Sequence, residues 1–441
     1  MTLIHQHVGV RCGIPGLVLG LSVLLPPSPA EAQGLSGNLS SSVHVYERSD
    51  TIGVETNHAR TYQTFQLSLK DKTVAIHTYG QFDTDLSTQL AGDGKFRMFQ
   101  LYADWKPRGR GLGVRVGRQP VFTGGSLGSV DGIQIRVEPA PVLRLRAFGG
   151  GLPPPDQKLE VVDEIRHNYA LGGAIVVLPR PDVSATLSYV RRRQERPGYL
   201  ATRADTLGNL FTQTIEPNDR VSDFASLDAS WTPKTTIRMY GRSDLDLYDL
   251  RIRRVDASLR SDVSPRTSLH AGYVFRSPRL PWNSIFAVFD AREHHEVEAG
   301  ASRRLNRLLR ATAEAAGIFG EDDASFRATL GLATATAGLS YVHRGGDAGA
   351  LDGVNASLVH PLRGGRITPT LQLSWASVEL DAGSGDRESL FSGAGGVAVE
   401  PCRGLTLDTQ VQVLRNPVYS DDVRFLARLQ YRFFKNLRGR P

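Results

Sequence analysis

Three things are nearly missing from this sequence: cysteine, lysine and long apolar runs. With only Cys12 and Cys402 among 441 residues, neither a disulfide framework nor a four-ligand zinc site can be assembled. Lysine occurs seven times against 45 arginines, so arginine carries nearly all of the positive charge; the formal net charge is +7. No run of 18 or more apolar residues occurs beyond the extreme N-terminus, so no segment there has the length and apolarity of a spanning helix. The 45 glycines are more than helices tolerate.

The N-terminus reads as an address rather than as part of a fold. Arg11 precedes an apolar stretch from Ile14 to Leu25, followed by Pro26-Pro27 and then Ala30-Glu31-Ala32. A basic start, a short apolar core and an A-x-A site predict a cleavable secretory signal over residues 1–32, leaving 33–441 as one exported domain. Cys12 leaves with the signal, and Cys402 is then a lone thiol beside Pro401.

What fills the rest is alternation. In Leu143-Arg144-Leu145-Arg146-Ala147 and in Ile133-Gln134-Ile135-Arg136-Val137, apolar residues alternate with polar or charged ones. The same holds from Leu405 to Val413, apart from Thr409, and from Arg424 to Phe433. A period of two predicts strands with one apolar and one polar face. Either a sandwich with one wet face or a membrane barrel with lipid outside and water inside gives this pattern.

The connections choose between them. Short turns at 70–72, 139–141, 178–181, 233–234, 362–365 and 401–404 alternate with longer loops near 48–60, 150–166, 194–220, 277–293 and 379–389. Short turns at one end and long loops at the other are the outer-membrane barrel pattern, with the short turns in the periplasm. Aromatic placement agrees. Trp105 and Trp231 stand on the apolar face just before short-turn prolines, and Tyr189, Phe275 and Trp375 stand near the opposite strand ends, as two interfacial girdles would require. The prediction is all-β: a single antiparallel transmembrane β-barrel of about 18–22 strands. The count comes nearer 22, and 18 or 20 follow if weak turns such as Thr334–Ala337 are discounted. Strands begin near Leu35, which leaves no room for a plug domain. The expected location is the outer membrane of a Gram-negative bacterium.

One local run resembles a known family. Val116-Gly117-Arg118-Gln119-Pro120, then Gly124 or Gly125, then Asp131-Gly132-Ile133, is similar to the G-R-Q…G…D-G signature of alginate-export-type outer-membrane porins. The resemblance covers about 20 residues, from 114 to 135. It implies an 18-stranded barrel with an electropositive pore that passes an anionic polysaccharide, and Gly117, Arg118, Gln119, Asp131 and Gly132 as its motif residues. Strict alternation puts Arg118 with Val114 and Val116 toward lipid, where a charge at mid-bilayer costs about 2–4 kcal/mol. A bulge at Pro120 turning it inward, or an interfacial position with snorkelling, would relieve this.

Alternation assigns to the polar, pore-lining face Arg115, Arg136, Arg144, Arg146, Arg192, Arg238, Arg242, Arg251, Arg253, Arg276, Arg327, Arg424, Arg428 and Arg432. Asp104, Glu138, Asp228, Asp244 and Asp408 share that face, which stays net positive. Either the arginines merely solvate a wet interior and pair with these carboxylates, or they favour anions in a pore. Their even spread, rather than clustering on one module, is no nucleic-acid signature. His294-His295-Glu296 does not make a metal site, because adjacent strand residues point to opposite faces. Gly124-Gly125-Ser126-Leu127-Gly128 reads as a flexible loop, since no helix follows to make it a phosphate cradle. No cofactor, metal or catalytic constellation is expected. The predicted function is a channel for small anions or an anionic polymer. The alternative is a structural sleeve around a periplasmic, electron-carrying or export partner, because barrels of about 22 strands are normally plugged; the loop 194–220, folded inward, would supply a constriction instead.

Overall fold

Period-two alternation becomes strand along almost the whole chain. The computed structural model describes residues 34–437, apart from 52–53, 88–93, 110, 125, 197, 205–209, 216–217, 279–292, 322, 348, 380–384 and 418–421. The expected signal segment and most of the loop 277–293 therefore lie outside the described residues. The first strands are β1 (Gly34–Thr51), β2 (Val54–Lys70), β3 (Val74–Asp85), β4 (Lys95–Trp105), β5 (Leu112–Thr123), β6 (Ser126–Ala140), β7 (Leu143–Gly151) and β8 (Asn168–Arg180). There follow β9 (Val183–Arg196), β10 (Tyr199–Ala204), β11 (Leu210–Ile215), β12 (Asn218–Lys234), β13 (Ile237–Asp246), β14 (Arg251–Ser264), β15 (Thr267–Arg276) and β16 (His294–Arg304). The last are β17 (Arg310–Phe319), β18 (Ala324–Ala333), β19 (Ala337–Gly346), β20 (Ala350–Val359), β21 (Ile367–Glu379), β22 (Glu388–Cys402), β23 (Leu405–Arg415) and β24 (Asp422–Asn436).

Twenty-two of these form one antiparallel sheet that closes on itself, with β1 pairing both β2 and β24. The strands β10 and β11 stand apart as a two-stranded ribbon. The count exceeds the 18 strands that the family resemblance implies. At Thr334–Ala337 the chain makes a tight hairpin: Thr334 N donates to Ala337 O at 2.7 Å, and its Oγ1 accepts from the amides of Thr336 and Ala337. Residues 48–60, expected as a long loop, belong mostly to β1 and β2, whose ladder runs on to Thr51 and Val54. The described part of the stretch 194–220 carries the end of β9, the β10–β11 ribbon and the start of β12.

Cross-strand register sorts the side chains onto two faces. One carries an apolar belt: Ile133 pairs Val116, Leu187 pairs Ile175 and Leu227, and Leu407 pairs Val399 and Leu429. Leu187 and Leu227 are 54% and 52% exposed, which water would not tolerate over a whole circumference. The other face is concave, because Thr312 of β17 and Gln412 of β23, six strands apart, line a common cavity there. Trp105 pairs Val74 and Val114 at the short-turn end of the apolar face, and Trp375 pairs Val354 and Phe391 near the other end.

Leu227 lies on the convex face midway between Trp231 and Asp223, so Leu227→Arg sets a charge into the middle of the belt. It should lower the unfolding free energy by about 2–4 kcal/mol. Arg144→Leu, on the concave face, should change it by less than about 1 kcal/mol. Urea titration in lipid vesicles reads both, and a reversed order would mean that the faces are assigned the wrong way round.

Candidate functional site

Among the described residues the barrel wall is interrupted at the G-R-Q…D-G run. The strands β4 and β5 pair from Trp105↔Val114 only as far as Leu101↔Arg118, although β5 continues to Thr123 and stays paired with β6 to its tip. Beyond that point β4 finds another partner: Met98 N donates to Gln157 O at 2.8 Å, so the segment after β7 takes the place β5 has left. The departure is made at glycines. Gly117 has φ of +118°, and a Cβ there would lie 2.3 Å from Leu101 O. Next door, a Cβ at Gly132 would lie 2.1 Å from Gly149 O. Only glycine lets the backbones cross this closely.

The upper part of the β5–β6 hairpin folds into the barrel. Val121 and Val130 are buried against Phe148, Leu152, Ala170 and Val190, of which Phe148, Ala170 and Val190 lie on the concave face of β7, β8 and β9. Arg146 Nη1 donates to Phe122 O at 3.3 Å. At the tip, a Cβ on Gly124 would lie 2.4 Å from the Oγ atoms of both Ser188 of β9 and Ser226 of β12. Gly124, in the run expected as a flexible loop, is thus packed against the wall. Contacts with the concave wall identify this hairpin as an inward element.

Arg118 holds the arrangement together. Its Nε and Nη2 form a two-pronged pair with Asp131, both at 2.7 Å, and Nη1 donates to Met98 O at 2.9 Å. It also donates to three carbonyls of the covering segment, Gln157 at 3.2 Å, Lys158 at 2.7 Å and Glu160 at 3.1 Å. Arg118 keeps the parity of Val116, yet it is only 4% exposed. Neither a bulge nor snorkelling relieves the charge: the β5–β6 register runs unbroken through Pro120↔Ser129, and a carboxylate and four carbonyls satisfy the guanidinium under cover of residues 157–160. Gln119, fully buried beside it, donates to Gly132 O at 3.1 Å. In the covering segment, a hydrogen bond from Lys158 holds the Asp156 carboxyl below its ordinary value.

Register puts Arg115, Arg136, Arg144, Arg146, Arg192, Arg238, Arg242, Arg251, Arg276, Arg327, Arg424, Arg428 and Arg432 on the face of Phe148 and Gln412. Arg253 is different. It is the extra residue of a bulge, since Asp244 pairs Arg254 and Leu245 pairs Ile252, and it reaches Asp246 at 3.4 Å. The bulge brings Arg254 onto the concave face, a position that alternation from Arg251 misses. Several of these charges are cancelled: Arg115 by Asp104 (3.3 Å), Arg242 by Asp244 (3.0 Å), Arg428 by Asp408 (2.8 Å), and Arg327 by Glu296 (2.7 Å). Around the hairpin it is otherwise. Arg136 and Arg146 face each other directly across β6 and β7, and Arg192 lies beside Gly128. Among the described residues, none of these three forms an ion pair. The nearby Glu138 stands 3.8 Å from Arg144, with both side chains about half exposed.

His294 and His295 fall on opposite faces, pairing Arg276 and Phe275 respectively. Among the described residues no cluster of three or more potential metal ligands occurs.

No protein-family model matches the chain, and no curated protein matches it either. Solved structures do. A mutant of the ferric enterobactin receptor PfeA from Pseudomonas aeruginosa is similar at 10% identity, over 91% of this chain and 81% of that one, with a TM-score of 0.54. The E. coli P pilus tip assembly intermediate PapC-PapD-PapK-PapG matches at 11% identity over 94% of this chain and 63% of that one, TM-score 0.50. The outer-membrane protein opdK of Pseudomonas aeruginosa matches at 10% identity over 91% and 99%, TM-score 0.44. At such identities the likeness is one of fold: a large β-barrel of the kind found in Gram-negative outer membranes.

Proposed function

We propose that the chain is an outer-membrane channel that passes small anions, or an anionic polymer of the kind the alginate-export-type resemblance implies, through an arginine-lined lumen. The observation that carries this reading is the inward hairpin lying beside Arg136, Arg146 and Arg192, whose charge no described carboxylate cancels. A narrowing flanked by low-dielectric wall focuses the field of those cations, so an anion meets its strongest attraction where the passage is tightest. Arg144 adds to the same patch, because a half-exposed pair at 3.8 Å neutralises little. The remaining arginines are proposed to keep the approaches wet and net positive. The hairpin also favours a channel over a sleeve, since it takes up part of the space that a lumen-filling partner would need.

Replacing Arg136, Arg144 and Arg146 together by glutamine should move the reversal potential, taken in a planar bilayer under a salt gradient, toward the non-selective value. The wild-type preference should itself weaken as salt rises, because screening shortens from roughly 10 Å at 0.1 M to 3 Å at 1 M. A cation-selective wild-type pore would overturn the anion reading. A barrel that conducts nothing but retains a periplasmic protein would replace the channel with the sleeve.

A further inference from the structure

The lumen is divided by chemistry as well as by the hairpin. From β5 round to β18 the concave face is ionic, with Arg115–Asp104, Arg242–Asp244 and Arg327–Glu296 among its pairs. On β19 to β22, beyond Arg344 and Glu388 at one end, register places only uncharged residues on that face, at Gly338–Val342, Gly353–Ser357, Thr368–Ala376 and Leu390–Ala398. Here the wall holds a groove of about 420 Å³, within the size range of small-ligand sites. Its polar lining is made of amides and hydroxyls, including Asn355, Gln372, Ser374, Ser392, Gln410 and Gln412, and no lining residue is charged. Gly331, Gly338 and Ala394 keep its floor low.

Each amide or hydroxyl both donates and accepts. Among the described residues, one hydrogen bond joins two of the six side chains named, from Gln412 Nε2 to Ser392 Oγ at 3.4 Å, and it is long. Donors and acceptors are therefore left facing the groove in a fixed array on rigid strands. Such an array matches a molecule that carries donors and acceptors together at close spacing and bears no charge. An anion would find donors here but no lining cation to offset the loss of its hydration, and a hydrocarbon would strip the amides of water without replacing it. A polyol satisfies both conditions.

We propose that this groove is a binding subsite for uncharged sugars, so that the lumen has a second, non-ionic track opposite the arginine patch. The proposal rests on the channel reading only for the idea that the sugar passes through; binding itself requires no more than the folded barrel. Because each contact exchanges with a water contact, affinity should be weak, which suits a site that must release its occupant.

The test is calorimetric titration of the folded barrel in detergent with maltotriose, alongside bilayer recordings of ion current with the same sugar. Saturable millimolar binding is expected, weakened by about tenfold in a Gln372→Leu/Gln412→Leu variant, which removes two amides at a combined cost of about 1.4 kcal/mol. The Arg136, Arg144 and Arg146 glutamine variant should bind the sugar as the wild type does. Current flickering with added maltotriose, lost in the Leu variant, should accompany it. Absence of binding by a barrel that still shows its anion preference would overturn the sugar track and leave the channel standing. Binding that persists unchanged in the Leu variant would move the site elsewhere and overturn the assignment to this groove. Gln372→Asn/Gln412→Asn, which keeps the amides, should retain most of the affinity; an equal loss in that variant would mean that groove shape, and not hydrogen bonding, is what the Leu pair destroys, against the proposal.

Discussion

Arg118→Ala should destabilise the barrel by about 3–5 kcal/mol and at the same time enlarge its single-channel conductance. The energetic part follows from Asp131, whose carboxylate is only 17% exposed and loses both of its 2.7 Å partners. The conductance part follows from geometry. The guanidinium ties the foot of the inward hairpin to the segment 157–160, and without it three carbonyls of that segment each lose a hydrogen bond and the hairpin loses its brace. The Arg118→Ala/Asp131→Ala double variant should recover part of the stability, because no uncompensated charge remains, but none of the conductance change. Urea unfolding in vesicles and bilayer recording separate the two. A single variant within 1 kcal/mol of wild type and of unaltered conductance would show that Arg118 braces nothing.

The second large effect is expected from a single methyl group. Gly132→Ala places a Cβ 2.1 Å from Gly149 O and 2.6 Å from Gly150 Cα, both backbone atoms with no rotamer to yield. The strands β6 and β7 must separate there, and a loss exceeding about 3 kcal/mol is expected, or failure to reach the heat-resistant folded form. Gly149→Ala is the control, since its Cβ would meet nothing closer than Leu171 Cβ at 3.9 Å on the convex face. Similar losses in both variants would mean that the crossing at Gly132 is not specially tight.

Much of the barrel could be read from the chain because its signal is local. Leu143 to Ala147 and Leu405 to Val413 show which face is which with no knowledge of their neighbours, and the short turns mark one rim. The inward hairpin could not be read this way. Its cause is a contact between Arg118 and carbonyls some 40 positions later, together with glycines whose closeness to Gly149 and Leu101 exists only after pairing. The one visible sign was Arg118 itself, a charge at an apolar parity that demanded a partner. Arg254 was lost for a related reason: a bulge at Arg253 shifts the parity by one, and nothing in the residue types around it announces the shift. The uncharged groove is a third case, since Thr312, Asn355 and Gln412 become neighbours only through closure of the sheet.

That closure has a kinetic side. The two strands at the seam, β1 and β24, pair from Gly34↔Asn436 to Val45↔Phe425, and a hydrogen bond from Gln430 to Asn38 spans 392 positions of chain. No local turn can bring these partners together. Every partly zipped sheet on the way has two raw edges, each a row of unsatisfied amides and carbonyls able to recruit another copy. Hairpins elsewhere in the wall form between sequence neighbours, so assembly there is cheap in chain entropy and reversible. The seam is neither. Its completion is a single late event that removes both edges at once, and until it happens the growing sheet needs protection from its own kind.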